Sequence, residues 1–270
     1  MSLETVDDAR RVARLSRAEY QNLLTYLEKL PPAGWTEQSA CSEWQVYQVV
    51  SHIGSQPEIH LGTLKAGLRG DPPMTDDQRR AIWARFDAMK PEEVLPAFKA
   101  NNDAFVALVD SLSEDELGKT IPWIFGPAPL ASVLAGRLNE QALHAWDVKW
   151  VHDKQVKVTA AALPDLLEVN VPARVGRLAQ PAQAEALVGK TIQFLYRQPD
   201  GAVSVTVAAD GAQATPGTAD APDLTVELPG EALVRLIWGR YDVAGGVASG
   251  ELKLSQPDLA DALQKLFPGR

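Results

Sequence analysis

Apolar residues recur three to five positions apart through the first half of the chain, and at every second position through much of the rest. Val12, Leu15, Tyr20, Leu23, Leu24, Leu27 and Leu30 follow the helical period. Pro31-Pro32-Ala33-Gly34 stops that helix. A second helix is expected to open near Ser42-Glu43-Trp44, with Ser42 as its cap and Gln45 completing a capping box. Its apolar face is Val46, Val49, Val50 and Ile53, and Gly70-Asp71-Pro72-Pro73 closes the region. Thr75 or Asp76 caps a third helix that buries Ala81, Ile82 and Phe86. Pro91 suits the first turn of a fourth, running to about Leu112. After a proline-rich loop (Pro122, Pro127, Pro129), a last helix is expected from Leu130 to Val151. Long helical segments joined by short breaks predict an antiparallel helical bundle.

Past residue 155 the period becomes two. Ile192, Phe194 and Tyr196 alternate with Gln193, Leu195 and Arg197, and the same alternation runs through 203–207 and 223–228. Asp200-Gly201 reads as a hairpin turn. Pro229 to Trp238 is a short amphipathic helix, Glu251 to Leu254 a further strand, and Leu259 to Phe267 a closing helix. Ala208–Ala221 is rich in small residues and reads as a loop. The fold class is therefore α+β in two domains, residues 1–154 and 155–270. The second is an α/β sandwich of a mainly antiparallel sheet with helices.

Composition narrows the function. The net charge of −9 disfavours a global nucleic-acid or anionic-membrane binder. No apolar run approaches the ~20 residues of a membrane helix. The opening Met1-Ser2-Leu3-Glu4-Thr5-Val6-Asp7-Asp8 is acidic with no apolar core, so no secretory address is expected. A single cysteine, Cys41, rules out an intrachain disulfide and fits a reducing cytoplasm.

Four histidines, His52, His60, His144 and His152, are the candidate chemistry. Glu140 and His144 are four apart on the last helix, so carboxylate and imidazole share a face. Such a pair can hold a divalent metal, with a third ligand from a facing helix, though it also occurs as a surface ion pair. The third ligand is His52 or His60. Eight residues separate them, ~12 Å along an unbroken helix, so one ion takes both only if the chain bends at Pro57. His52 follows the apolar Val49-Val50 and is favoured. Asp147 can orient His144, but its spacing alone reads better as a solvated or helix-pairing aspartate. Cys41 reads as a small buried hydrophobe rather than a nucleophile. No glycine-rich phosphate loop, Gly-x-Ser-x-Gly elbow or cysteine zinc cluster is present.

Three stretches resemble one known family. Gly34-Trp35, with Cys41-Ser42-Glu43-Trp44-Gln45-Val46 and Val50-Ser51-His52, resembles the opening signature of the mycothiol-dependent maleylpyruvate isomerases. Leu138-Asn139-Glu140-Gln141-Ala142-Leu143-His144-Ala145-Trp146-Asp147 is similar to that family's second signature. Leu236-Ile237-Trp238-Gly239-Arg240 resembles the glycine–arginine motif of its C-terminal domain. The likeness spans most of the chain and is weakest between residues 155 and 222.

The resemblance implies a DinB-like four-helix bundle followed by a sterol-carrier-like α+β domain. It implies that His52, Glu140 and His144 hold a divalent metal, most commonly Zn2+, with a fourth position open. It implies a cosubstrate thiol such as mycothiol, ionised at neutral pH by the metal. Arg240, with Arg235 as the other candidate, is implied as the group that meets a substrate carboxylate. The implied reaction is cis–trans isomerisation: the thiolate adds to an activated double bond, the new single bond rotates, and the thiolate leaves. A thiol S-transferase, in which the thiol stays attached, is the alternative. A non-catalytic protein enclosing an apolar ligand is the other. The expected partner is a small carboxylate-bearing or electrophilic substrate, with no nucleic acid and no membrane.

Overall fold

The structure, a computed structural model, describes residues 3–269. Its contacts divide the chain into two compact units, one ending at Lys157 and the other beginning at Val158. The described residues contain no helix long and apolar enough to cross a membrane.

The first unit is helical. Its helices are α1 (Val6–Leu27), α2 (Val46–Leu68), α3 (Asp76–Asp87), α4 (Pro91–Ser111), the single turn α5 (Glu114–Leu117) and α6 (Leu130–Lys149). A two-residue ladder, β1 (Thr120–Ile121) with β2 (Ala128–Pro129), leads into α6. Helices α1, α2, α4 and α6 form the four-helix bundle: α1 packs on α6 and α4, and α2 on α4 and α6, with α3 laid on α2. The core joins Tyr20, Leu23, Leu27, Val46, Val49, Val50, Ile53, Val94, Phe98, Ala145 and Val148. Tyr20, Leu23, Leu27, Val46, Val49, Val50 and Ile53 are among the positions whose spacing predicted the first two helices. Full burial of each aliphatic side chain contributes roughly 1.5–3 kcal/mol.

Caps set the boundaries. Thr5 caps α1 through the Asp8 amide, and Thr75 caps α3 through that of Gln78. Ser42 does not cap α2. That helix starts at Val46, where the Gln48 side chain accepts from the Gln45 amide at 2.9 Å. Residues 38–45 form a tight loop instead. The Ser39 amide and hydroxyl both donate to the Trp44 carbonyl, at 3.1 and 2.6 Å. The Gln38 amide donates to the Cys41 carbonyl at 2.7 Å. The backbone is satisfied within this loop, so helix formation is delayed by one turn. Helix α2 continues through Pro57.

The second unit carries a five-stranded sheet in the order β5-β4-β3-β6-β7. Its strands are β3 (Thr191–Arg197), β4 (Gly201–Ala208), β5 (Gly211–Pro216), β6 (Leu224–Pro229) and β7 (Lys253–Leu254). All pairs are antiparallel except β3 with β6. Register stacks the apolar sets: Ile192 faces Val205 and Leu224, and Phe194 faces Val203 and Val226, all buried. Tyr196 pairs with Gly201, and a Cβ at Gly201 would fall within 2.6 Å of the outer end of the tyrosine ring, so any other residue there must displace the ring.

Helices α7 (Leu163–Asp165), α8 (Val171–Leu178) and α9 (Gly230–Ile237) belong to this unit, with a π-helical turn over Leu166–Asn170 between the first two. Helix α9 packs on β3 and β6, and α8 on β5. Helices α10 (Val243–Ser249) and α11 (Ala260–Leu266) complete it. The expected loop over Ala208–Ala221 is in part the edge strand β5. Its residues are mostly small and none is buried, so no apolar alternation announces it.

Candidate metal centre

Three side chains from two facing helices converge in the bundle. His52 comes from the second turn of α2, and Glu140 and His144 lie one turn apart on α6. Their ligand atoms all lie within 4.8 Å of one another. His52 Nε2 is 3.5 Å from Glu140 Oε2, and His144 Nε2 is 3.6 Å from the same oxygen. His144 is buried, and the other two are partly buried.

The opposite nitrogen of His144 is committed elsewhere. Its Nδ1 lies 2.8 Å from Asp147 Oδ2, and that aspartate is fully buried. Asp147 is therefore not the solvated residue that its spacing suggested. A carboxylate on one ring nitrogen keeps the other turned toward a ligand position. Cys41 is buried, as expected, yet it is more than a small hydrophobe: its Sγ donates to the same Asp147 oxygen at 3.0 Å. The Ala40 amide donates to the Asp147 carbonyl at 3.1 Å, which ties the 38–45 loop to α6. That loop places the Trp44 ring over both imidazoles, with centroids 5.0 Å from His52 and 6.1 Å from His144.

The electrostatics follow from burial and pairing. Burial raises the Glu140 carboxyl, but hydrogen bonds and charge from His144 and His52 outweigh it and hold the group well below its ordinary range. Burial lowers His144, and Asp147, Cys41 and Glu140 together carry it well above the ordinary imidazole value. His52 stays below that value because burial dominates. A neutral His52 and an ionised Glu140 are the forms that donate lone pairs to a cation.

The other two histidines lie outside this group. His60 Nδ1 donates to the Gln56 backbone carbonyl at 2.8 Å, and the ring packs against Trp123 and Phe105, outside the convergent group. His152 meets the Tyr26 hydroxyl at 2.8 Å and Glu37 at 3.4 Å. In the second unit Arg235 makes a two-point pair with Glu231, at 2.6 and 2.9 Å. Arg240 follows Gly239, which has φ of +68° and closes α9; its Nη1 donates to the Trp238 carbonyl at 2.7 Å.

Two residues at the centre escaped sequence reasoning. Gln56, one turn after His52, points its amide nitrogen at His52 Nε2 (2.8 Å) and Glu140 Oε2 (3.0 Å). Arg137, one turn before Glu140, is completely buried and donates to Gln56 Oε1, the Ile53 carbonyl and Asn102 Oδ1 at 2.8–3.0 Å. The available signals were a glutamine four residues from a candidate ligand and an arginine inside an apolar helix.

Residues 16–149 match the family described as the mycothiol maleylpyruvate isomerase N-terminal domain. Over these residues the chain belongs to that domain family. The fold agrees along nearly the whole length. A crystal structure of the mycothiol-dependent maleylpyruvate isomerase is 16% identical, with a TM-score of 0.66, covering 93% of this chain and 95% of that one. A histidine-to-alanine mutant of the mycothiol-dependent maleylpyruvate isomerase is 17% identical, with a TM-score of 0.65 and the same coverage. At such identity the likeness establishes the two-domain fold. No curated protein sequence matches the chain.

Proposed function

We propose that this chain is a metal-dependent enzyme that uses a low-molecular-weight thiol, of the mycothiol kind, to isomerise a maleylpyruvate-like cis double bond. The observation that carries the reading is the convergence of His52, Glu140 and His144 within 4.8 Å, with the second nitrogen of His144 on buried Asp147. Two imidazoles and one carboxylate suit zinc and leave a fourth position for an exogenous ligand. Bound there, zinc would supply the positive charge that keeps a thiol ionised at neutral pH.

The chain's own residues do the rest. Asp147 orients His144, and Cys41 shares in holding that carboxylate. Trp44 shields one side of both imidazoles from water. Arg240 is proposed as the substrate-carboxylate group, with Arg235, which pairs with Glu231, as the other candidate.

The test is a reaction screen on protein of measured metal content. Maleylpyruvate and a generic electrophile are each offered with mycothiol and with glutathione. Isomerisation that requires both thiol and metal supports the reading. Conjugation without isomerisation replaces it with thiol S-transfer. Silence in every mixture rejects both.

A further inference from the structure

The Gln56 amide is gripped from both ends. Its Oε1 accepts from Arg137 Nη1 at 2.8 Å, while its Nε2 faces His52 Nε2 at 2.8 Å and Glu140 Oε2 at 3.0 Å. An amide has one acceptor end and one donor end. Arg137 can only donate, so turning the amide over would set NH2 against guanidinium and bring the carbonyl oxygen to the ligand atoms. Arg137 itself is locked by the Ile53 carbonyl and Asn102 Oδ1. It is fully buried, and burial lowers its guanidinium to about 9, so its charge is retained at neutral pH.

We infer that Gln56, with its polarity set by Arg137, is a positioning residue that steers the Glu140 carboxylate and keeps itself out of the ligand set. This rests on the metal site proposed above. An amide oxygen at that place would be a fourth protein donor, and four protein donors make a closed, structural site. An NH2 group cannot bind a cation. The pair Arg137–Gln56 thus preserves the position at which a thiol can enter. In the same arrangement the NH2 group donates to Glu140 and fixes which way that carboxylate faces.

The experiment measures affinity for Zn2+ by chelator competition, and the visible spectrum of the Co2+-loaded protein with and without added N-acetylcysteine. Thiolate bound to cobalt adds a charge-transfer absorption, which a purely structural role for Gln56 would not alter. In Gln56→Glu, one oxygen stays on Arg137 and the other stands where Nε2 stood. Affinity is expected to rise at least about tenfold, with the thiol-dependent absorption lost. In Gln56→Leu, affinity is expected to fall about tenfold to a hundredfold, as for other groups that hold a ligand, with the absorption kept. Arg137→Met frees the amide to turn and should weaken the absorption. If that variant does not fold by circular dichroism, the two Gln56 variants decide. Wild-type affinity and an intact thiol absorption in both Gln56 variants overturn the inference alone. A wild-type protein that binds no divalent ion overturns the metal reading, and this inference with it.

Discussion

His144 and Asp147 sit one turn apart on α6 and meet at 2.8 Å, on the side of the imidazole away from Glu140. One helix thus supplies two candidate ligands and the group that orients one of them. Asp147→Asn keeps the size and removes the charge. The expected result is a loss of metal affinity of about tenfold to a hundredfold with little change in melting temperature. Chelator competition beside thermal denaturation checks it, and unchanged affinity would remove Asp147 from the centre.

The three candidate ligand positions should separate cleanly from the other histidines. His52→Ala and His144→Ala are expected to come through dialysis without metal while keeping wild-type helical content. His60→Gln and His152→Ala should retain about one equivalent. Metal analysis by mass spectrometry makes the comparison. Metal that disappears with His60 or His152 would place the centre elsewhere.

His60 provides a pH test. Burial, with the nearby Arg137 charge, lowers its value to about 4, below the ordinary 6.5 of an exposed imidazole. The unfolded chain takes up this proton as pH falls through 6.5, and the native chain does not until about 4. His60 therefore contributes full stability above pH 6.5 and loses it progressively down to about pH 4. The span is on the order of 3 kcal/mol at most. Urea titrations between pH 4 and 7 should show a shallower decline in His60→Gln than in wild type, and parallel curves would refute the assignment.

The sheet domain depends on Phe194, fully buried between Val203 and Val226. Phe194→Ala is expected to cost about 3–5 kcal/mol. Gly201→Val drives a side chain into the Tyr196 ring and should also destabilise, by roughly 1–3 kcal/mol. Denaturant midpoints report both, and a Gly201→Val protein as stable as wild type would show that the ring yields.

Much of this protein follows from one-dimensional pattern. A period near 3.6 specifies which faces of α1 and α2 are buried, because side chains three or four apart share a helix face. The period of two does the same for β3, β4 and β6. Four-residue spacing is enough to put Glu140 and His144 on one face. The resemblance to one family pointed to His52, Glu140 and His144, the residues that the structure brings together.

What lies across helices was settled by packing alone. Helix α2 offers His52 and His60, and only its docking on α6 brings the first, not the second, to Glu140. Asp147 read as a solvated or helix-pairing residue because spacing carries no information about burial; the 38–45 loop, through Ala40 and Cys41, covers it. Strand β5 was invisible since an edge strand of small residues has no buried face to advertise. Gln56 and Arg137 acquire their roles only as partners 81 residues apart in the chain. A hydrogen bond needs position and direction together, and neither is a property of sequence order.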